Sequence, residues 1–506
     1  MLTALSIDFM ASKAQSAPTR ETVAKLVDRA TRCVREALEG HDGMDPAILI
    51  LAQTIALARR SGTVVPGSSL AAFYRGLEMT SGRTVSLARA LASERVEPHE
   101  LLALHRATEL ARYADDAGFD AQGVAIGAEL MLAGDGPMDA SLATFLVELL
   151  SDRAIAPPGW DVTSRPVAAI GSVAEPGEVA ARLSAQETVL LLAFDAKGRL
   201  TKTTWTAGAG VFAREPVEQF SADAFAAWRR EFPYQYGVDD GTTPNLFHIS
   251  TEELRLSDLP EGPIVVVADS ELQAMPVNLL RVGDSFAGQT RAMSAVLSLS
   301  WLSAARETPA ISNGKRKAWI SQRDELGQTL VMIADRLSET FTDHGIVFDG
   351  GNAVPEGLGG SDMVVVAAHG SLGTGAQFQR VSDEGNLVLS AADLSAGLRN
   401  VRVVVLFVCS GGRTDKVPGA IATSGLARRL LHQGCSAVIA SPWPLDARVT
   451  YHWLPAFLSA WRDDCRLDEA VLAANRAVER AIGSAFENAL AMALRRPGFE
   501  ANDPLT

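Results

Sequence analysis

Two stretches constrain this chain most: MVVVAAH (Met363–His369) and VRVVVLFVC (Val401–Cys409). Each is an unbroken β-branched run without polar alternation, the pattern of a strand buried on both faces of a parallel sheet. IVVVA (264–268), AWI (318–320), GIVFD (345–349) and SAVIAS (436–441) repeat the pattern. Between them lie the helical stretches LGQTLVMIADRLSETF, SAADLSAGL and GAIATSGLARRLLHQG. Strand–helix alternation of this kind predicts an α/β fold with a doubly wound, mainly parallel sheet.

The first third reads differently. ETVAKLVDRATRCVREALEG places Val23, Leu26, Val27, Ala30, Val34 and Ala37 at helical spacing. Helical runs follow at PAILILAQTIALARR, SLAAFYRGLEM, HELLALHRATELARYADDAG and DASLATFLVELLSDR, with no tetratricopeptide pattern in them. The expected organisation is a flexible segment over 1–16, an all-α domain over 17–153 (a bundle or degenerate helical repeats) and a linker over 154–166, AIAPPGWDVTSRP. A β-hairpin region over 167–260 (VLLLAFD, AKGR, LTKTTWTAG) and an α/β core over 261–500 complete it. Length agrees, since 506 residues at roughly 150 per domain allow several domains.

Charge and cysteine content exclude several classes. With 60 acidic and 46 basic residues the net charge is −14, and no basic run offsets it, so direct nucleic-acid binding is not expected. Cys33, Cys409, Cys435 and Cys465 form neither a C-x-x-C pair nor a metal-ligand spacing, which argues against disulfides and metal and suits a reducing compartment. The start MLTALSIDFMASKAQSA lacks a basic region, and no apolar run approaches a membrane span. A cytoplasmic location away from membranes is expected. Cofactor-binding glycine motifs are missing too, so no cofactor is expected.

The chemistry points to the ends of the two leading strands. In open α/β sheets, ligands bind outside the carboxyl ends of the strands. There MVVVAA runs into His369-Gly370, and VRVVVLFV runs into Cys409-Ser410-Gly411-Gly412. An imidazole can take the proton of a thiol that is otherwise largely protonated near neutral pH. The adjacent glycines would let a peptide approach the backbone, and the N–H groups of Gly370 and Cys409 could face a developing oxyanion. Either residue alone would ordinarily read as structural, since a cysteine ending an apolar strand is most often buried. Cys33, Cys435 and Cys465, with His105 and His432, read in that ordinary way.

With these motifs in order, the chain resembles the CHAT domain family, caspase-like peptidases often fused to helical repeats. The resemblance covers roughly 165–494 and is strongest from Pro263 onward. It rests on IVVVADSELQAMPVNLL (with Asp269, Leu272, Pro276 and Leu279 in register), AMSAVLSLSWL, VVVAAHG, NLVLSAADL, LFVCSGG, SGLARRLLHQGCSAVIASPWPLDARVT and LDEAVLAANRAV. It implies a caspase-like fold and cysteine endopeptidase activity, with His369 and Cys409 as catalytic dyad and Gly370 and Cys409 as oxyanion hole. It implies substrate binding by Ser441-Pro442-Trp443 as an added β-strand, with Ser441 giving backbone bonds. Trp443 is either a subsite wall or a packing residue.

The sequence departs from the family at Phe407-Val408, where small residues are usual, at Gly411, where Thr is usual, and at Pro442. An acidic residue two before the nucleophile lines the S1 pocket in basic-specific relatives. Phe407 cannot neutralise a basic P1 side chain there, although Asp446 or Asp415 could supply an acid from another loop. RTDKVPGAIATS (413–424) reads either as an activation loop or as a plain solvated loop. Partners implied are a protein substrate and a regulatory protein docking on the helical domain, in bacterial signalling, antiviral defence or cell death. Two alternatives stand beside this: a catalytically silent interaction scaffold, and a small-molecule cysteine hydrolase or amidotransferase on another α/β fold.

Overall fold

The structure, a computed structural model, describes residues 19–40, 44–80, 88–89, 92, 125, 127–134, 137–152, 187–206, 209–215, 220–235, 255–283, 285–307, 313–321, 328–351, 353–372, 379–383, 387–416, 423–442, 445–462, 466–482 and 492–495. The chain divides into two compact units. One is 1–138 with 194–199 and 417–421, and the other is 139–193, 200–416 and 422–506.

The first unit contains α1 (Arg20–Gly40), α2 (Met44–Arg60) and α3 (Gly67–Met79). The 3.6-residue apolar repeat of α1 buries Val23, Val27, Ala30, Val34 and Ala37, as the spacing predicts. Thr31 is buried with them because its Oγ1 bonds the Val27 carbonyl and Ser69 Oγ. Helix α3 lies so close that a Cβ at Gly76 would stand 2.5 Å from Ile48 Cδ1. The expected helix at HELLALHRATELARYADDAG, the 1–16 segment and the 154–166 linker fall outside the described residues.

The second unit is built on a 13-stranded sheet among the described residues. Its first strands are β1 (Thr188–Phe194), β2 (Leu200–Thr206) and β3 (Ala209–Arg214), which include the expected hairpin. A two-residue strand β4 (Arg255–Leu256) precedes β5 (Ile264–Ala268). Strands β6 (Arg281–Val282) and β7 (Ser285–Phe286) belong with β4 to a small side sheet. Then follow β8 (Met293–Val296), β9 (Arg316–Ile320), β10 (Ile346–Asp349), β11 (Met363–Leu372), β12 (Gln379–Asp383), β13 (Leu387–Ser390) and β14 (Val403–Val408). A short hairpin of β15 (Asp415–Lys416) and β16 (Thr423–Ser424) precedes β17 (Ala437–Ala440) and β18 (Ala493–Arg495).

The order across the main sheet is β10-β9-β11-β14-β17-β18-β8-β5-β1-β2-β3. Strands β9, β10, β11, β14 and β17 run parallel, and β18 enters antiparallel to β17. Helices of this unit are α4 (Ala140–Leu150), α5 (Ala222–Gln235), α6 (Ala287–Thr290), α7 (Leu299–Glu307), α8 (Thr329–Asp343), α9 (Ala391–Gly397), α10 (Leu426–His432), α11 (Ala447–Arg462) and α12 (Leu467–Ala481).

Both faces of the central strands are covered, which is why their sequences show no alternation. Met363, Val365, Ala367, Val403, Val405 and Phe407 pack with α8, α11 and α12, while Val364, Val366, Val404 and Leu406 are equally buried on the opposite face. The α/β fold class, with a mainly parallel sheet after a helical region, is thus as the sequence indicates.

Two elements differ from expectation. Helix α4 belongs to the sheet unit, although its sequence follows the helical run. Within the stretch GAIATSGLARRLLHQG the described residues are helical only from Leu426, because Thr423 and Ser424 pair back with Lys416 and Asp415 and Gly425 takes a φ of +151°.

Candidate active site

Strands β11 and β14 pair in register from Met363↔Val403 to Ala368↔Val408. His369 and Cys409 are therefore the next residues at the carboxyl ends of adjacent parallel strands. Both are partly exposed rather than buried. At His369 strand β11 changes partners. Residues 363–367 lie between β9 and β14, whereas 369–372 pair antiparallel with β12, His369 opposite Ser382.

The two strand ends touch through backbone. A Cβ at residue 370 would stand 2.0 Å from the Cys409 carbonyl oxygen and 2.9 Å from its carbonyl carbon, so only glycine fits. This contact brings the His369-Gly370 step against the cysteine.

A tight turn follows Cys409. The Gly411 N–H donates to the Val408 carbonyl at 2.9 Å, and the Arg413 N–H donates to the Ser410 carbonyl at 3.1 Å. Closing the turn forces Ser410 to a φ of +60°, a left-handed conformation costing a side-chain-bearing residue roughly 1–2 kcal/mol. Strain of that kind gathers at functional sites, where the surrounding structure over-determines it. Nothing in the sequence beyond the neighbouring glycines signals it.

Gly412 then packs against the end of β17. Its N–H donates to the Ser441 carbonyl at 2.7 Å, and a Cβ there would lie 2.7 Å from the Ala440 carbonyl oxygen. The site glycines are thus required by the protein's own backbone, a demand that the sequence reading assigned to an approaching substrate. Ser441 is buried and its carbonyl serves the turn after Cys409. Trp443 lies outside the described residues.

Phe407 sits in the core. It is 4% exposed, and its ring meets Trp453 edge-on at 6.0 Å. Asp446 is engaged by Arg448, whose Nη2 lies 2.6 Å from Oδ2, and the Arg448 N–H also donates to Asp446 Oδ1. Asp415 belongs to β15. Cys435 is buried, its thiol donating to the Leu398 carbonyl at 3.2 Å, and burial pushes its pKa up to about 12. Cys33 is partly exposed on α1, and Cys465 lies outside the described residues.

The CHAT domain family model matches residues 245–484, a span that holds both strand ends and their turns. The chain carries a CHAT domain. No curated protein matches the sequence. Among solved structures, the Saccharomyces cerevisiae separase–securin complex is similar at 10% identity and a TM-score of 0.45, over 95% of this chain and 41% of that one. The Arg-specific cysteine proteinase gingipain R is similar at 12% identity and a TM-score of 0.32, over 46% of this chain and 62% of that one. A Porphyromonas gingivalis complex of RgpB pro- and mature domains gives 13% identity and 0.32, over 55% and 69%. The chain therefore spans less than half the length of the separase chain it resembles. Among the described residues, no helix of the CHAT domain or of the helical unit is long and apolar enough to cross a membrane.

Proposed function

We propose that the CHAT domain is a cysteine endopeptidase in which Cys409 is the nucleophile and His369 its base. The observation that carries the reading is the backbone contact between Gly370 and Cys409, made where two adjacent parallel strands end in an imidazole and a thiol. His369 takes the thiol proton as the sulfur attacks the scissile carbonyl carbon. The N–H groups of Gly370 and Cys409 donate to the resulting oxyanion, a contribution of roughly 3–4 kcal/mol per donor where such donors have been removed. His369 returns the proton to the leaving amine, and water then hydrolyses the thioester, regenerating the thiol. Ser441 is buried with its carbonyl held by the Gly412 N–H, so the added substrate strand that the resemblance implies would pair beyond it, with Trp443 beside a subsite.

Control comes through the helical unit, which docks a regulatory protein partner, in a cytoplasmic setting of bacterial signalling, defence or cell death. The competing reading is a silent scaffold, which would leave Cys409 as an ordinary thiol. Mass-spectrometric mapping of cleavage in a peptide library, wild type beside Cys409→Ala, separates the two. Cleavage by the wild type alone is expected. Equal cleavage by both would remove Cys409 from the mechanism.

A further inference from the structure

Helix α4 carries four polar residues, Thr144, Glu148, Ser151 and Asp152 (the last two just past its end), at spacings that place them along one stripe. All four are buried, and each meets a different element. Thr144 Oγ1 accepts from Trp205 Nε1 on β2 at 2.7 Å. The Glu148 carboxylate accepts from the N–H groups of Leu299 and Ser300 at 2.8 and 2.9 Å, capping α7. Ser151 Oγ lies 3.1 Å from the Ala268 carbonyl oxygen at the end of β5. Asp152, its side chain wholly buried, takes Arg428 of α10 with two prongs, Nε at 2.6 Å and Nη2 at 3.3 Å.

The fourth contact differs from the others in where it leads. Arg428 stands one turn inside α10, and α10 opens at Gly425. A Cβ at Gly425 would stand 2.1 Å from the Arg413 carbonyl oxygen, so the start of α10 rests directly on the residue that closes the nucleophile turn. The Arg413 N–H in turn holds the Ser410 carbonyl. The three helix-side contacts to β2, α7 and β5 already seat α4. A buried ion pair adds little to stability over an apolar pair of the same volume, and its better-attested use is to specify one arrangement. Residues 139–152 also follow directly on residue 138, where the first segment of the helical unit ends.

We propose that the Asp152–Arg428 ion pair positions Cys409. It fixes α10, and through the Gly425–Arg413 contact it fixes the strained turn that aims the thiol, so the segment leaving the helical unit bears on the nucleophile. Arg428 and Asp152 are positioning residues here. The proposal rests on the peptidase reading above.

The test is alkylation of the full chain by iodoacetamide, with each cysteine followed by mass spectrometry over a range of pH. Cys33 is the internal reference, being a partly exposed thiol on α1. The double variant Asp152→Asn/Arg428→Gln removes the ion pair without stranding a charge. It should melt near the wild type and alkylate Cys33 unchanged, while Cys409 slows about tenfold, less than the roughly hundredfold that a full 1 Å misplacement of a reacting group can cost. A folded double variant with the wild-type Cys409 rate overturns the proposal. Where the double variant does not fold, Arg428→Lys decides, because it keeps the charge and loses the two-pronged fit. Slowed Cys409 labelling at unchanged melting supports the ion pair, and an unchanged rate overturns it. If wild-type Cys409 reacts no faster than Cys33 and titrates like an ordinary thiol, the peptidase reading falls, and this proposal falls with it.

Discussion

Gly370 and Cys435 show how single atoms separate the Cys409 thiol from the others. In Gly370→Ala the added methyl must displace the Cys409 carbonyl, since ideal geometry leaves 2.0 Å between them. Backbone cannot yield as a flexible side chain would, so this substitution should cost at least 3 kcal/mol, at the upper end of overpacking penalties of about 1–3 kcal/mol. Loss of activity together with a lowered melting temperature would be the signature, and a stable, active Gly370→Ala would contradict the contact. Cys435, with its pKa pushed up to about 12 by burial, remains a thiol at any pH where the protein is handled. Iodoacetamide should leave it unmodified at pH 8 until the protein unfolds. Labelling of Cys435 in the native protein would mean that β17 and α9 open readily. Ser410→Gly offers a third check: the left-handed φ is free to glycine, so the variant should keep its stability or gain slightly.

Helix α4 and helix α11 act as elements of opposite kinds. The inner face of α11 presents Trp453, Phe457 and Trp461 in a row, the first pair stacked and the second tilted, with Phe407 of β14 edge-on against Trp453. Trp453 also bonds Asn475 of α12 through Nε1 at 2.8 Å. Trp453→Ala should cost about 3–5 kcal/mol, read as a lower denaturation midpoint. A loss under 1 kcal/mol would show that the row is not the main tie between the sheet and α11. In α4 the tie is polar. Glu148→Gln keeps the shape but loses the charge that caps α7, so a destabilisation of about 1–3 kcal/mol is expected by denaturant titration. A neutral Glu148→Gln would mean that the cap is carried elsewhere.

At the scale of the whole chain, the boundary between units decides which fragments can fold. Helix α4 buries Ala143, Leu146, Val147, Leu149 and Leu150 within the sheet unit. A fragment 139–506 should therefore be soluble and cooperative in melting. A fragment starting at 154, after the helical region as hydrophobic periodicity defines it, exposes the seat of α4 and should aggregate or melt without a sharp transition. Equal behaviour of the two fragments would mean that α4 is dispensable to the sheet.

The sequence by itself determined the α/β class, the helical region, and the two strands whose ends carry His369 and Cys409. Those features are written in local periodicity: β-branched runs for buried strands, a 3.6-residue repeat for α1, and glycines where a chain must turn. Tertiary structure decided the rest, because it depends on what each residue meets. Phe407 reads as a pocket residue through the resemblance to relatives whose residue two before the cysteine lines S1, and here it lies in the core because Trp453 of a later helix stands over it. Glycines 370 and 412 look like room for a substrate until the neighbouring strand ends are in place to fill it. Helix α4 shows the same limit. Its stripe of Thr144, Glu148, Ser151 and Asp152 is visible in the sequence as polar residues on one side of an apolar helix, but only packing reveals that the polar side is buried along with the apolar one. Hydrophobic periodicity assumes that polar faces meet water, and that assumption fails wherever a helix is held by hydrogen bonds from elements far away in the chain.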